Sequence, residues 1–194
     1  MFEILFKNIS SKISLDQAEE ERLKSFFIPK KLRKKQFLLQ EGEPCYYTAF
    51  VEKGLLRSYT TDDKGHEHVS QFAMEDWWTS DIYSFLTGEP ATMSIDALED
   101  CELLMISKNN HDAMMQAIPK MERYMRILTQ NSLVATQRRL SGKIILTAEE
   151  NYRTLMAGHT NIMQRVPQHM IASYLGIAPE TLSRIRKQMA SSKS

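Results

Sequence analysis

The residues best suited to molecular recognition lie near the carboxyl end of the chain, between residues 168 and 187. Arg184 suits the bidentate donation of hydrogen bonds to guanine, and Glu180 can accept a hydrogen bond from the amino group of cytosine. Neighbouring basic and hydroxyl side chains can reach phosphates or nearby base edges. The predicted DNA-contacting residues are Gln168, Glu180, Thr181, Ser183, Arg184, Arg186 and Lys187.

The spacing around these residues predicts a helix-turn-helix. Ala172 is small, as a close crossing of two helices requires, and Gly176 permits the positive φ that ends a helix in a tight turn. One apolar side is expected between the two helices, which leaves Glu180, Ser183, Arg184 and Lys187 on the opposite side. An ordinary helical hairpin is the alternative. The predicted apolar residues are Ile171, Leu175, Ile177, Leu182 and Ile185.

The net charge of +1 hides an asymmetry between the two parts of the chain. Residues 1–120 carry 14 Lys and Arg against 20 Asp and Glu, a net charge of −6, whereas the rest carries 11 against 4, a net charge of +7. Clustered cations gain free energy by displacing counterions from phosphates, so the basic part is expected to meet a polyanion. A chance distribution of solvated charges is the alternative.

A second candidate site is the pair His66 and His68, which would share one face of a strand. Such a pair occurs in metal sites of cupin-type enzymes, so a metalloenzyme is a remote alternative. A cupin site needs a carboxylate a few residues on, whereas Glu75 follows His68 by seven residues. We therefore expect an exposed hairpin edge, and we predict no catalytic residue, no metal and no cofactor.

The composition is that of a globular chain, with 42% hydrophobic and 25% charged residues among 194. No apolar run approaches the roughly 18 residues of a membrane helix, and no signal peptide is apparent, so we expect a cytoplasmic protein without a membrane partner. Cys45 and Cys101 are too few for a disulfide framework or a typical iron–sulfur site. They are expected to be unpaired thiols.

The elements that must position these residues begin with a helix over residues 15–26, where Ser14 and Gln17 have capping-box spacing. Short strands with turn signals follow, which predicts an antiparallel β-roll or jelly roll. Asp62 to Gly65 form the expected hairpin tip, and residues 77–93 are expected to be rich in loops. The predicted strands are Gln36–Gln40, Tyr47–Val51, Leu55–Thr60, His66–Phe72, Ile95–Leu98 and Glu102–Ile106.

From residue 114 the apolar residues step by four and three, which predicts a heptad seam on a long helix. Pro119 is expected to start that helix, and residues 119–137 would span roughly 28 Å. A seam of this length favours a partner helix, most simply a second copy across a two-fold axis. The alternative is that the stripe packs on the preceding strands. The predicted dimer residues are Met114, Ile118, Met121, Met125, Leu128, Ser132 and Ala135.

Three blocks resemble the Crp/Fnr family of bacterial transcription regulators: Lys53 to Arg57 with the following hairpin, the heptad helix, and Glu180 to Arg184. The resemblance implies an α+β fold with an N-terminal roll like those that bind cyclic nucleotides, a long dimerisation helix and a C-terminal winged helix-turn-helix. It divides the chain into residues 1–110, 111–138 and 139–194. It also implies a half-site with a TGA core, read through Glu180, Ser183 and Arg184.

The roll departs from the family's nucleotide-binding cassette, in which a Gly-Glu pair is followed by an Arg and then Ser or Thr. Ser80 and Asp81 stand at the first place, and Ala91 and Thr92 at the second, so the arginine is missing. A buried phosphate without a cation lacks compensation for its desolvation, and tight binding of cyclic AMP is not expected. A pocket for another effector is predicted at Trp77, Trp78, Ser80, Asp81, Tyr83, Ala91, Thr92 and Thr129.

The sequence therefore predicts a homodimeric, sequence-specific DNA-binding regulator that reads a palindromic site in double-stranded DNA. RNA polymerase is the expected protein partner, and the effector is unknown. The main alternative is a ligand-sensing module that acts on a protein partner without DNA.

Overall fold

The computed structural model describes residues 1–158 and 160–191. Two short helices come first, α1 (Glu3–Ser10) and α2 (Gln17–Lys24). The carboxylate of Asp16 accepts a hydrogen bond from Glu19 N at 2.8 Å, and the Glu19 carboxylate accepts one from Asp16 N at 2.9 Å. The predicted helix is thus confirmed, but its capping box is Asp16 with Glu19 rather than Ser14 with Gln17.

Two four-stranded antiparallel sheets follow, in the orders β1-β8-β3-β6 and β2-β7-β4-β5. The six predicted strands are present, each end within two residues of its expected position, and β1, β6 and a short helix α3 (Ile82–Thr87) were not predicted. The expected roll is confirmed. The strands are β1 (Ile28–Leu32), β2 (Phe37–Leu39), β3 (Tyr47–Lys53), β4 (Leu56–Thr61), β5 (Glu67–Ala73), β6 (Trp78–Thr79), β7 (Ser94–Ala97) and β8 (Cys101–Ser107).

Gly54 makes the turn from β3 to β4. Its φ is +100°, and a Cβ there would lie 2.6 Å from Cys101 Sγ and 2.7 Å from Asp100 O. Glycine is needed at this position both for the positive φ and for the close approach of β8. The turn is part of the first sequence block on which the family resemblance was based.

The first part of the long apolar stripe packs inside the chain rather than on a partner. Pro119 separates α4 (Lys108–Ala117) from α5 (Lys120–Ile145), which is 26 residues or about 39 Å long. Met114, Ile118 and Met121 are at most 1% exposed among α1, α2 and sheet residues such as Phe50, and Met125 and Leu128 pack against them. Only Ser132 and Ala135 of the predicted seam are exposed.

The prediction that Met114, Ile118 and Met121 lie in a dimer interface is therefore wrong, because these residues are buried within the chain itself. Met125 and Leu128 are half-buried and stay predicted dimer residues together with Ser132 and Ala135. The heptad repeat is present as predicted, but its apolar side chains pack against the outer face of the roll's first sheet. This is the alternative that the sequence had left open.

Four helices complete the described chain: α6 (Ala148–Gly158), α7 (Thr160–Arg165), α8 (Gln168–Leu175) and α9 (Pro179–Ser191). No strand follows β8 in the described residues, so strands of a wing are not among them. The predicted boundary at residue 139 falls inside α5, and residues 192–194 at the end of the predicted DNA-binding domain lie outside the described residues. No helix among those described is long and apolar enough to span a membrane.

Candidate nucleic-acid interface

Helices α8 and α9 meet through a turn at Gly176. Gly176 has a φ of +71°, and the N–H of Ile177 donates to Ala172 O at 3.0 Å, which closes the end of α8. Pro179 opens α9, where its missing N–H leaves no hydrogen bond unmade. The predicted helix-turn-helix is present with the expected turn residue.

The apolar sides of the two helices form one small core. Ile171, Ala172 and Leu182 are at most 1% exposed, and Ile185 is 5% exposed. Leu175 and Ile177 pack against them. This burial fixes the rotation of α9 about its axis, so the opposite side of the helix must face solvent.

The exposed side of α9 carries Glu180, Ser183, Arg184 and Lys187, which lie at i, i+3, i+4 and i+7 and therefore form one row. Arg186 is exposed beside this row. Among the described residues, Arg184, Arg186 and Lys187 have no ion-pair partner, so their charges are available to a ligand. We call the row of Glu180, Ser183, Arg184 and Lys187 the recognition face.

The two other predicted contact residues are less accessible. Thr181 is half-buried, and Gln168 is half-buried at the first turn of α8. The side-chain oxygen of Gln168 is buried and has no hydrogen-bond partner within the described chain. The structure therefore brings Glu180, Ser183, Arg184, Arg186 and Lys187 to one exposed side and leaves these two at its margin.

Helix α8 is docked on the free edge of strand β5. The hydroxyl of Ser173 donates to Glu67 O at 3.0 Å and accepts from Val69 N at 2.9 Å. Val69, Phe72 and Tyr59 of the roll join the core under α8 and α9. The helix-turn-helix is thus packed on the roll, and its recognition face points away from that contact.

A charged clamp holds the same two parts together. The guanidinium of Arg165 donates to both oxygens of Glu75, at 2.7 and 2.9 Å, and to both oxygens of Glu99, at 2.9 and 2.6 Å. Burial raises the pKa of Glu75, but hydrogen bonds from Arg165 and the Gly54 N–H outweigh that effect and lower it. Sequence analysis missed the Arg165 clamp because its partners lie 66 and 90 residues away along the chain.

In the roll, the structure brings together three of the predicted effector-site residues. Asp81 is 1% exposed and caps α3, accepting from Ser84 N at 3.1 Å. Its other oxygen accepts from Thr92 N at 2.8 Å and Thr92 Oγ1 at 3.0 Å, beside the buried Ala91. Burial raises the pKa of Asp81, but these hydrogen bonds outweigh it and lower the pKa. The carboxylate therefore stays ionised among neutral donors.

Ser80 adjoins Asp81 in the chain, but the four remaining predicted effector residues do not converge on Asp81. Trp77 packs against the core between the sheets, whereas Trp78 lies on the opposite face, where its Nε1 donates to Tyr124 Oη at 3.1 Å. Tyr83 is 52% exposed, and the hydroxyl of Thr129 donates to Met125 O within α5. Trp78 is therefore removed from the candidate pocket, because neighbouring residues of a strand point to opposite faces.

The histidine pair lies on an exposed hairpin edge, as expected. His68 Nε2 and His66 Nδ1 lie 3.0 and 3.3 Å from the same oxygen of Asp62 at the hairpin tip. No group of three or more His, Cys, Asp and Glu side chains in the described chain is arranged to hold a metal ion. Cys45 and Cys101 are free and buried, and burial raises the pKa of the Cys101 thiol to about 11.

The chain is similar to known proteins over most of its length. Residues 29–117 match the model of the cyclic nucleotide-binding domain. Transcriptional activator protein Anr of Pseudomonas aeruginosa is 24% identical over 168 residues, 79% of this chain and 67% of that protein. The fumarate and nitrate reduction regulatory protein of Vibrio cholerae is 24% identical over 190 residues, 89% of this chain and 73% of that protein.

The fold of the chain agrees with that of a solved structure over most of its length. The c-di-GMP-responsive global regulator CLP of Xanthomonas campestris superimposes with a TM-score of 0.73 at 16% identity, over 92% of this chain and 93% of that one. These similarities support the assignment of the chain to the Crp/Fnr family of transcription regulators. The relatives are transcription regulators and not enzymes, which agrees with the sequence-based prediction.

Proposed function

We propose that this Crp/Fnr chain binds double-stranded DNA sequence-specifically as a homodimer that reads a palindromic site. The observation that carries the proposal is the recognition face on α9, an exposed row on a helix whose other side is buried. Its Arg184 has no ion-pair partner among the described residues. In a major groove, Arg184 would donate to guanine and Glu180 would accept from cytosine, while Arg186 would bind phosphate. The family resemblance gives a TGA core as the first half-site to test.

The dimer surface we propose lies on the carboxyl-terminal half of α5. Leu133, Leu140 and Ile144 are 59%, 61% and 76% exposed and lie at i, i+7 and i+11. Those intervals are two and three helical turns, so the three side chains form one apolar stripe. Water-exposed leucine and isoleucine in a row favour burial against the same stripe of a second copy. We call Leu133, Leu140 and Ile144 the α5 stripe.

We propose further that the roll does not bind cyclic AMP tightly. At the place of the cassette arginine stands the buried Ala91, and the N–H and hydroxyl of Thr92 already donate to Asp81. A phosphate there would meet a carboxylate and no cation, which costs several kcal/mol. Titration calorimetry with cyclic AMP should detect no saturable binding at micromolar concentrations, and saturable binding would contradict this part of the proposal.

The proposed mechanism is a two-state dimer in which a signal in the roll moves the α5 helices and changes the separation of the two recognition faces. An effector shifts such an equilibrium only by its differential affinity for the two states. The two half-sites should lie about 34 Å apart or a multiple of that distance. RNA polymerase in the cytoplasm is the protein partner that this function implies.

Selection of bound DNA from a random-sequence pool tests the proposal. The selection is made both with and without an added extract of cell metabolites. A homodimer that reads DNA should enrich a palindrome. A pool that stays random under both conditions would contradict DNA reading and favour the alternative of a module that regulates a protein partner.

A further inference from the structure

A cleft opens between helix α1, the linker that joins it to α2, and helix α5. Its volume is about 430 Å³, which lies within the range of sites that bind small organic molecules. The linker is held in place, because Lys12 N and Ile13 N both donate to Ile9 O at 2.9 Å. We call this space the α1–α5 cleft; the lining residues that matter below are Phe6, Lys12, Ile13, Leu15, Glu20 and Arg123.

Part of the lining is apolar and open to water. Phe6, Ile13 and Leu15 are half-buried and pack on the core that α1, α2 and α5 share. Ile9, which also lines the cleft, is 1% exposed. Half-exposed apolar side chains in a concave site favour an apolar occupant, because its binding removes their remaining surface from water.

Lys12 brings to the cleft a positive charge that no acidic side chain neutralises. Its ammonium donates to Asn8 O at 3.1 Å, to Asn8 Oδ1 at 2.9 Å and to Ser11 Oγ at 3.1 Å, and all three acceptors are neutral. Its Nζ also lies 5.9 Å from the centre of the Tyr124 ring. In the part of the chain that the structure describes, Lys12 has no ion-pair partner. The ammonium is therefore held in position with its charge uncompensated.

Arg123 supplies a second cation from the side of α5. It is exposed, and it makes no ion pair within residues 1–158 and 160–191. Glu20 is the acidic residue of the lining, so two cations and one carboxylate give the cleft a net charge of +1. That balance matches an occupant with a single negative charge better than a phosphate monoester, which carries about −1.5 to −2.

We propose that the α1–α5 cleft binds an amphipathic monocarboxylate. Its carboxylate would accept hydrogen bonds from Lys12 and Arg123, and its hydrocarbon tail would cover the three half-buried apolar side chains. The site is separate from the effector pocket predicted within the roll, and binding there does not depend on the proposed DNA reading. An occupant would join α1 and its linker to α5.

Titration calorimetry with decanoate at neutral pH tests the proposal on the full chain. Decanoate should bind saturably with a Kd below about 1 mM, which a ligand of its size can reach. Acetate has the charge without the tail, and decylamine has the tail with the opposite charge. Neither should bind at the same concentrations, because each lacks one of the two kinds of contact.

Substitutions in the lining test where decanoate binds. Arg123→Gln should raise the Kd by about tenfold or more, because a hydrogen bond between charged groups is lost. Glu20→Gln should lower the Kd by a factor of about two to five, because the carboxylate that repels the ligand is removed. Lys7→Gln removes a charge at an exposed position of α1 outside the cleft and should leave the Kd unchanged.

Lys12→Gln should weaken binding as Arg123→Gln does. Because Lys12 also bonds to Asn8, urea unfolding of this variant is measured alongside, and Arg123→Gln decides the matter if Lys12→Gln does not fold. No saturable binding of decanoate, equal binding of decylamine, or a Kd that Arg123→Gln leaves unchanged would each overturn the proposed site. None of these outcomes bears on DNA reading.

Discussion

In the proposed function, Arg184 is the residue on which recognition of the base sequence of DNA most depends. It is exposed, has no ion-pair partner in the described residues, and lies on the helix face opposite the buried Leu182 and Ile185. Replacement by alanine should weaken binding to the selected site by about 1–3 kcal/mol and relax the preference at one base pair, because a bidentate contact to guanine is lost. A second random-pool selection measures both effects.

Arg186 supplies the matched control for Arg184, because both are exposed arginines on α9. Arg186→Ala should weaken binding to all sequences and flatten the salt dependence by about 0.9, as expected for one phosphate contact. If Arg184→Ala showed that uniform loss and Arg186→Ala changed the base preference, the two roles would have to be exchanged.

Asp81 is expected to stabilise the roll only while it is ionised. Its pKa is lowered in the folded chain from an ordinary value of 3.8, so its contribution is complete above that pH and is lost as the pH falls through the folded pKa. Asp81→Asn should lower the free energy of unfolding at pH 7 by on the order of 2 kcal/mol, the worth of hydrogen bonds to a charged group. The loss should shrink as the pH falls below 4.

Urea unfolding at several pH values measures this effect. Asp63→Asn is the control, because Asp63 is exposed on the hairpin. If Asp81→Asn lowered the free energy of unfolding by the same amount from pH 7 to pH 3, the shape of the side chain and not its charge would account for its contribution.

At the scale of elements, local patterns were enough to predict most of the structure. The strand spacing, the Asp62 to Gly65 turn and the segment around Gly176 each carry their signal within a few residues, and each was found as expected. Short elements such as β6 and α3 were missed because two to six residues carry too little periodicity. The heptad period of α5 was detected, but a period does not say which surface covers it.

Substitutions on α5 alone can therefore test which side of that helix forms the proposed dimer interface. Leu140→Glu places a charge in the α5 stripe and should weaken self-association by at least about 100-fold, because an unpaired buried charge costs several kcal/mol. Ala135→Glu, on nearly the opposite side of the helix, should leave the dimer intact. Sedimentation equilibrium distinguishes the two variants. Dissociation by Ala135→Glu alone would instead assign the interface to the exposed end of the predicted seam.

At the scale of the whole molecule, sequence analysis could not predict that the helix-turn-helix packs on the roll. The contacts join Ser173 to strand β5 and Arg165 to Glu75 and Glu99, across separations of 66 to 106 residues. Each of these residues is an ordinary polar residue in its local sequence. Their pairing exists only once the two parts have folded, so no local pattern could reveal it.

The Arg165 clamp should set how firmly the helix-turn-helix, and with it the recognition face, is held on the roll. Arg165→Ala removes four hydrogen bonds and leaves two neighbouring carboxylates without their cation, so the docked unit should open more often. The Val69 N–H, which donates to Ser173, should then exchange with solvent deuterium faster than in the parent chain.

Arg153→Ala is the control, since Arg153 pairs only with Glu149 on its own helix among the described residues. Because the pKa of Glu75 is lowered in the clamp from 4.5, docking should be firm above that pH and weaken as the pH falls through the folded value. The parent chain should therefore approach the exchange rate of Arg165→Ala in acid, after correction for the intrinsic rate. Equal protection of Val69 in the parent and in Arg165→Ala at neutral pH would mean that apolar packing under α8 alone holds the unit in place.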